Sequence, residues 1–577
     1  MDDTSFHLAN LENLSLLLKI VEKFEAITGS KMNLDKTKGL VFKQENVGMH
    51  NGIECIYNKE KVLGIYIGNI VNKDEIWTTL CEKVEKKLES WKLRNLTLEG
   101  KVLLIKSLGI SQVLYNMQVQ CFSDQQLEKL NKILYNFLWN GKMHFISKAI
   151  CETEKSNGGL MMPNLSKEYK CLRIKWVIRN LISYLNKQDR TTALLPIEYF
   201  KCLDRDYGTE LLSLRVDMGI DEVNRCKIPK FYKECIAAFQ ELLRKTKSFR
   251  SRTDDIIWNN SEILYNNKPI SYKSWARCGI LRKEEITDKD GKVDREKIAN
   301  RAPKTAQAIF ETEKLIKAVK NSPTTKNIPD VKDNPKPSNI IATIGLILEQ
   351  VIHFSKEKTR KLRSLSSTEI KQILTDEREQ EQQITKRKNY WRNKLEIETS
   401  EWKALVEKSC RNTNLPRKIR QFNLKVIHGG INTETRLNKM KFSHTEICSV
   451  CKAEKENLEH ILTECKGVND IWKWVGAAIA SLNGNTCQIS KCEKITNYSR
   501  QAHQNQPIVD VLIGITRYEI WKRRCTIKYD MKAVNIAATI ASIKTSLQKH
   551  LCLIKNNQPD ITTSMDKIMD FLTRKPP

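Results

Sequence analysis

The chain has 577 residues, and 98 Lys and Arg against 68 Asp and Glu leave a formal net charge of +30. Such an excess repels itself in a folded protein and is kept where a polyanion is bound, whether a nucleic-acid backbone or an acidic membrane surface. The 40% hydrophobic content with 11 Trp, 15 Tyr and 15 Phe excludes a wholly disordered tail, and the longest apolar run, around 340–348, falls far short of the roughly 20 residues that cross a bilayer.

Residues 11–28 carry Leu14, Leu17, Leu18, Val21 and Phe24 at helical spacing, with Gly29 placed to end the helix in a left-handed cap. Residues 30–42, and then Lys61-Val62-Leu63-Gly64-Ile65-Tyr66-Ile67-Gly68, are β-branched and glycine-punctuated, which predicts short strands or a hairpin. From 76 to about 179 the pattern is helical, with Val102, Ile105, Val113, Leu114 and Met117 on one core-facing stripe and Lys101 and Lys106 off it. The Gly158-Gly159-Leu160 turn and Pro163 interrupt, and helices continue to about 250. The polar run 321–338, with four prolines, reads as a linker. Residues 376–394 are almost entirely charged or amide, which predicts an exposed helix or a disordered segment without an apolar stripe. A compact block begins near 401.

The most specific local signal is Cys448-Ser449-Val450-Cys451, eight residues, His460, four residues, Cys465. With 17 cysteines in 577 residues a C-x2-C pair arises by chance about 0.5 times, so the added His and Cys carry the weight. Thiolates and imidazole hold zinc tetrahedrally, two from a knuckle and two from a following helix. Leu458, Ile461 and Leu462 place that helix at 457–465, with His460 and Cys465 on its metal-facing side if the last turn tightens. His444, Cys487 and Cys492 are nearby substitute ligands. Four protein ligands leave no open position, so the expected ion is structural zinc. The other cysteines read as reduced core thiols, and an N-terminus without a secretory signal gives an intracellular expectation, nucleus or cytoplasm. P-loop, H-E-x-x-H and G-x-S-x-G signatures are absent from the sequence.

The basic clusters are Lys83, Lys86 and Lys87; Arg244, Lys245, Lys247, Arg250 and Arg252; 356–363; Arg417, Lys418 and Arg420; and Lys522-Arg523-Arg524, beside Trp521. Together with Lys101 they are the candidate contacts to a polyanion, either nucleic-acid phosphates or an acidic membrane surface.

Read in order, several blocks resemble the C-terminal portion of a non-LTR (LINE-type) retrotransposon reverse transcriptase. Met1-Asp2-Asp3-Thr4 looks like the remnant of the family's Tyr/Phe-Ala-Asp-Asp-Thr catalytic box, and the helix around 14–24 with Gly29, Asn33, Lys36 and Thr37 looks like the segment after it. Leu63-Gly64-Ile65-Tyr66-Ile67-Gly68 resembles the primer-grip hairpin. Trp91-Lys92, Arg94-Asn95-Leu96-Thr97-Leu98, Gly100-Lys101, Tyr115, Phe137-Leu138-Trp139 and Gly158-Gly159-Leu160 resemble the thumb and the region after it. Tyr272, Trp275, Gly279-Ile280, Asp288 and Gly291 resemble a connecting block, and the Cys448 to Cys465 motif with Trp472 and Trp474 resembles the zinc-binding domain.

The resemblance implies that Asp2 and Asp3 are catalytic carboxylates and Lys36 a proton donor to leaving pyrophosphate. It also implies Mg only if the polymerase site is completed by further sequence, because the third carboxylate, nucleotide pocket and template grip lie upstream of the aspartate pair in the family. The expected fold is mainly α: a small α/β palm remnant with a primer-grip-like hairpin at 1–75, a thumb-like helical region at 76–180 and a helical connector at 181–320. Beyond it come a linker at 321–338, a charged helical segment at 339–400 and a zinc-stabilised C-terminal domain at 401–577. The resemblance also selects the polyanion: the expected partner is RNA or DNA and not a membrane, and the expected function is nucleic-acid binding by part of an RNA-directed DNA polymerase, without polymerisation by this chain alone. The alternatives are a polymerase subunit or incomplete gene model of an active enzyme, and a zinc-domain protein adaptor.

Overall fold

A computed structural model describes residues 4–186, 190–202, 228–246, 257–258, 263–272, 274–275, 278–280, 283–288, 290–321, 344, 348–349, 351–353, 359–375, 377–485, 488–555 and 562–573. Asp2, Asp3, Cys487, Lys247, Arg250, Arg252 and almost all of the expected linker lie outside these residues. The fold is mainly α, with one three-stranded sheet and three two-stranded pairs among the described residues.

The first helix, Leu14–Thr28, ends as its sequence predicts, on Gly29 in the left-handed region with its N–H donating to Glu25. The strands β1 (Lys38–Leu40), β2 (Gly48–His50) and β3 (Ile53–Ile56) form one sheet in the order β1-β3-β2, β1 parallel and β2 antiparallel to β3. The expected hairpin is β4 (Lys59–Val62) paired with β5 (Ile65–Gly68), turning through Leu63 and Gly64, both at positive φ. That two-residue turn twists with its strands. Of the expected stripe on the Leu14–Thr28 helix, Leu14 is buried and Leu17, Leu18 and Val21 are half-buried, whereas Phe24 is exposed, as are Leu16, Ile20 and Ile27. Lys36 sits in an exposed one-turn helix, Leu34–Lys36.

The described residues build three cores. One gathers Cys171, Ile174 and Leu181 with Phe239, Trp258, Trp275 and Ile280, extending to Leu374. Another joins the helices from Trp77 to Tyr169 with Ile384, Trp391, Trp402, Phe422 and Ile427. The last holds Ile461, Trp472, Val475, Ile513 and Leu547 around the metal-ligand cysteines.

The second core corrects two expectations. The charged stretch forms a helix, Glu377–Leu395, and it does carry an apolar stripe: Ile384, Trp391 and Leu395 are buried. Three residues at helical spacing suffice to dock a helix whose other positions are charged. The seam they close is specific. Trp391 Nε1 donates to Ile427 O at 2.9 Å, Trp402 Nε1 to Asn157 O at 3.3 Å, and His428 Nε2 lies 2.9 Å from Gly158 O. On the other side, a Cβ at Gly159 would lie 2.0 Å from Thr153 O, and Gly158 has φ of +82°. Both glycines are therefore required by close approach and backbone conformation. The seam also makes His428 chemically unusual, since burial holds it below the ordinary imidazole range, at about 4.

Lys101 is the second correction. Expected among the nucleic-acid contacts, it is 5% exposed and donates to Phe137 O and Leu138 O, each at 3.1 Å, and to the Asn140 side chain. Those carbonyls end the Asp124–Trp139 helix, where the negative end of its dipole favours a cation. Spacing put Lys101 off the apolar stripe, but the neighbouring helix end encloses it.

Candidate metal centre

Two local structures bring the ligands together. Ile447 and Lys455 pair as an antiparallel bridge, and within it Cys448 N–H donates to Glu454 O and Lys452 N–H to Cys448 O, both at 2.8 Å. Lys452 takes a positive φ of 56°, which folds the chain back so that both thiols of the knuckle face one point. The other pair comes from a helical turn begun by the Asn457 side chain, which accepts from His460 N at 2.7 Å.

That turn widens where the spacing predicts tightening. His460–Glu464 is π-helical, and Cys465 N donates to His460 O at 2.8 Å, an i to i+5 bond. On a regular α-helix positions five apart diverge by about 140°. The wider turn returns Cys465 to the side of His460, as a shared site requires.

The result is that the ligand atoms of Cys448, Cys451, His460 and Cys465 all lie within 4.8 Å of one another. Cys451 Sγ is 3.3 Å from His460 Nε2. His460 Nδ1 lies 3.1 Å from the Glu454 carboxylate, so the other ring nitrogen is the one turned to the sulfurs. A hydrogen bond with Cys465, then burial, pushes the Cys448 thiol up, while the same hydrogen bond pulls Cys465 down. Three sulfurs and an imidazole, three of the four residues buried, are a donor set that fits a tetrahedral zinc ion with no open coordination position. Of the substitute ligands, His444 is exposed and Cys492 hydrogen-bonds Thr496 at 3.5 Å instead.

A buried ion-pair network, invisible in the spacing, carries the knuckle. Glu456 accepts from Ser449 N and Oγ, inside the C-x2-C turn, at 3.3 Å each. Its other oxygen accepts from Arg524 Nη2 at 2.6 Å and Nε at 2.9 Å, and from Glu434 N at 3.0 Å. Arg524 Nη2 also reaches Glu434 at 2.8 Å, and Lys528 pairs with the same carboxylate. Burial works against the charge on Arg524, but the hydrogen bond and charge of Glu456 more than offset it and hold the guanidinium above its ordinary range. The neighbouring Arg523 donates to Gly467 O at 2.7 Å and Val534 O at 3.0 Å. Thus Arg524, expected at a phosphate, is instead a fully buried strut, Arg523 is committed to carbonyls, and only Lys522 of that cluster is exposed. Trp521 packs near Phe422, their ring centroids 6.5 Å apart.

Residues 375–472, which include all four ligands, match the family described as zinc-binding in reverse transcriptase. Over 273 residues the chain is also 21% identical to the Transposon TX1 uncharacterized 149 kDa protein of Xenopus laevis, across 46% of this chain and 20% of the relative. The C-terminal region is retrotransposon reverse-transcriptase-related. The chain spans about a fifth of the length of that curated relative.

In the reverse-transcriptase-related region Arg417 and Lys418 are exposed and Arg420 is half-buried; Lys83, Lys86 and Lys87 project to solvent from the helix Lys73–Glu89. The two clusters lie on separate helices, Lys73–Glu89 and Arg417–Ile427. Among the described residues no helix is long and apolar enough to cross a membrane.

Proposed function

We propose that the protein is a retrotransposon-derived nucleic-acid-binding protein of the LINE type, the C-terminal part of an RNA-directed DNA polymerase, and that these 577 residues do not polymerise DNA by themselves. The observation that carries the reading is the Cys448, Cys451, His460 and Cys465 cluster lying within the stretch that matches the zinc-binding family of reverse transcriptases.

In this reading Zn is held by the three sulfurs and His460 Nε2, and supplies crosslinking, not catalysis. Glu454 lies beside the outer ring nitrogen of His460, and Glu456 clamps the knuckle onto Arg524. The excess of 30 positive charges supplies the affinity for RNA or DNA, which therefore falls as salt rises. Filter binding of labelled RNA and DNA across a salt series, with metal analysis of the same preparation, tests both parts. Salt-dependent binding and one tightly held zinc per chain are expected; metal-free folded protein, or binding indifferent to salt, refutes the corresponding part. Primer extension with Mg is expected to yield no product.

A further inference from the structure

We propose that the seam beside Gly429 and Gly430 is a docking site for the nucleic-acid phosphate backbone, formed by Lys142, Lys425 and Arg387 over the buried Lys101. This deepens the nucleic-acid reading and rests on it. The residues come from three separate stretches of sequence: Gly430 N donates to Lys425 O at 2.6 Å, Arg387 rests on the adjoining Gly429, and Lys142 lies close enough to repel Lys425. Lys425 Nζ lies 4.2 Å from the centre of the Phe145 ring. Consecutive glycines permit close packing here: a Cβ at Gly430 would lie 2.6 Å from Phe145 O, and one at Gly429 would lie 2.7 Å from Arg387 Nη1, so Phe145 and Arg387 rest directly on this backbone.

What marks these four cations is that none of them is ion-paired: among the described residues none of Lys101, Lys142, Lys425 and Arg387 has a carboxylate within ion-pair distance. By contrast, Lys86 and Lys87 share their helix with Glu82, Glu85 and Glu89, and Lys522 pairs with Glu519 at 3.4 Å. The lysines of the seam work against one another. Burial, then repulsion from Lys425, Lys142 and Lys92, pulls Lys101 down to about 8, while burial and then Lys142 lower Lys425. Like charges held together without counter-charge in a partly desolvated place lower their energy when an anion bridges them. Phosphodiesters repeat at a spacing that lets several such cations be neutralised at once, with release of condensed counterions.

The test compares the full chain with Lys142→Gln/Lys425→Gln/Arg387→Gln, with the charge-keeping Lys142→Arg/Lys425→Arg, and with Lys83→Gln/Lys86→Gln/Lys87→Gln. Labelled single-stranded RNA, single-stranded DNA and duplex DNA are titrated from 50 mM salt upward, with folding followed by circular dichroism. The seam triple is expected to lose about tenfold or more in affinity and to flatten the salt slope by about 2 on single strands. The Arg pair is expected to keep parental binding, and the helix triple, which removes the same number of charges, to lose clearly less affinity than the seam triple. A double variant, Lys142→Gln/Lys425→Gln, keeps the test valid should the Arg387 change unfold the protein. Parental affinity and slope in a folded seam variant overturn the proposal while leaving nucleic-acid binding standing. No salt-dependent binding by the parent overturns both. The three nucleic acids report which polymer the seam prefers.

Discussion

Replacing Arg524 with Ala strands Glu456, whose side chain is 0% exposed and whose charge, among the described residues, Arg524 alone balances, since Lys528 remains for Glu434. Removing one partner of a buried pair costs about 3–5 kcal/mol, because the surviving charge stays desolvated. The backbone donor and hydroxyl of Ser449 still solvate Glu456, which places the expectation near the lower figure. A loss of about 3 kcal/mol raises the population of locally open molecules by roughly two orders of magnitude. Because the protein has several cores, a single global melting temperature is the wrong observable. Amide exchange read over residues 434–461, together with the rate of zinc loss to a chelator, isolates the affected part. Both are expected to accelerate by about 100-fold in Arg524→Ala, and Arg524→Lys, which keeps charge but loses the fork, is expected to fall between. Exchange within a factor of about 2 of the parent would refute the role given to the network.

Cys465→Ser is expected to abolish stoichiometric zinc and to unfold the C-terminal core, since structural metal binding is folding free energy; metal analysis and near-ultraviolet circular dichroism check both. Gly159→Ala is expected to destabilise the seam by about 3 kcal/mol, because the new methyl meets backbone atoms that cannot swing aside; denaturant unfolding followed by tryptophan fluorescence measures it, and a neutral result refutes the close approach. His428 sets a pH dependence. The unfolded imidazole takes a proton near 6.5, the folded one only near 4. Stability is therefore lost as pH falls between these values, by roughly 3 kcal/mol in full. His428→Gln is expected to remove that component, and equal acid sensitivity in the two proteins would refute it.

Much of the site was legible in the residues themselves. Ligand spacing is local chemistry, so Cys448, Cys451, His460 and Cys465 stand out without a fold, and the structure gathers all four. Local signals also placed the Leu14–Thr28 helix with its Gly29 cap and the β4–β5 hairpin. The turn at His460 was misread because whether a helical turn tightens or widens depends on what its side chains must reach together. Glu456 and Arg524 carried no signal, since 68 residues separate them in sequence.

The sequence by itself determined the elements, the ligand set and the charge, all of which depend on neighbours along the chain. Tertiary structure alone decided which charges meet solvent. Lys101 and Arg524 look like their exposed neighbours Lys106 and Lys522 in any window of sequence. They are buried because a distant helix end and two distant carboxylates enclose them. Lys101, Lys142 and Lys425 repel one another, and among the described residues none of them has a carboxylate within ion-pair distance. Burial and pairing are properties of surfaces brought together across hundreds of residues, and periodicity carries no record of them.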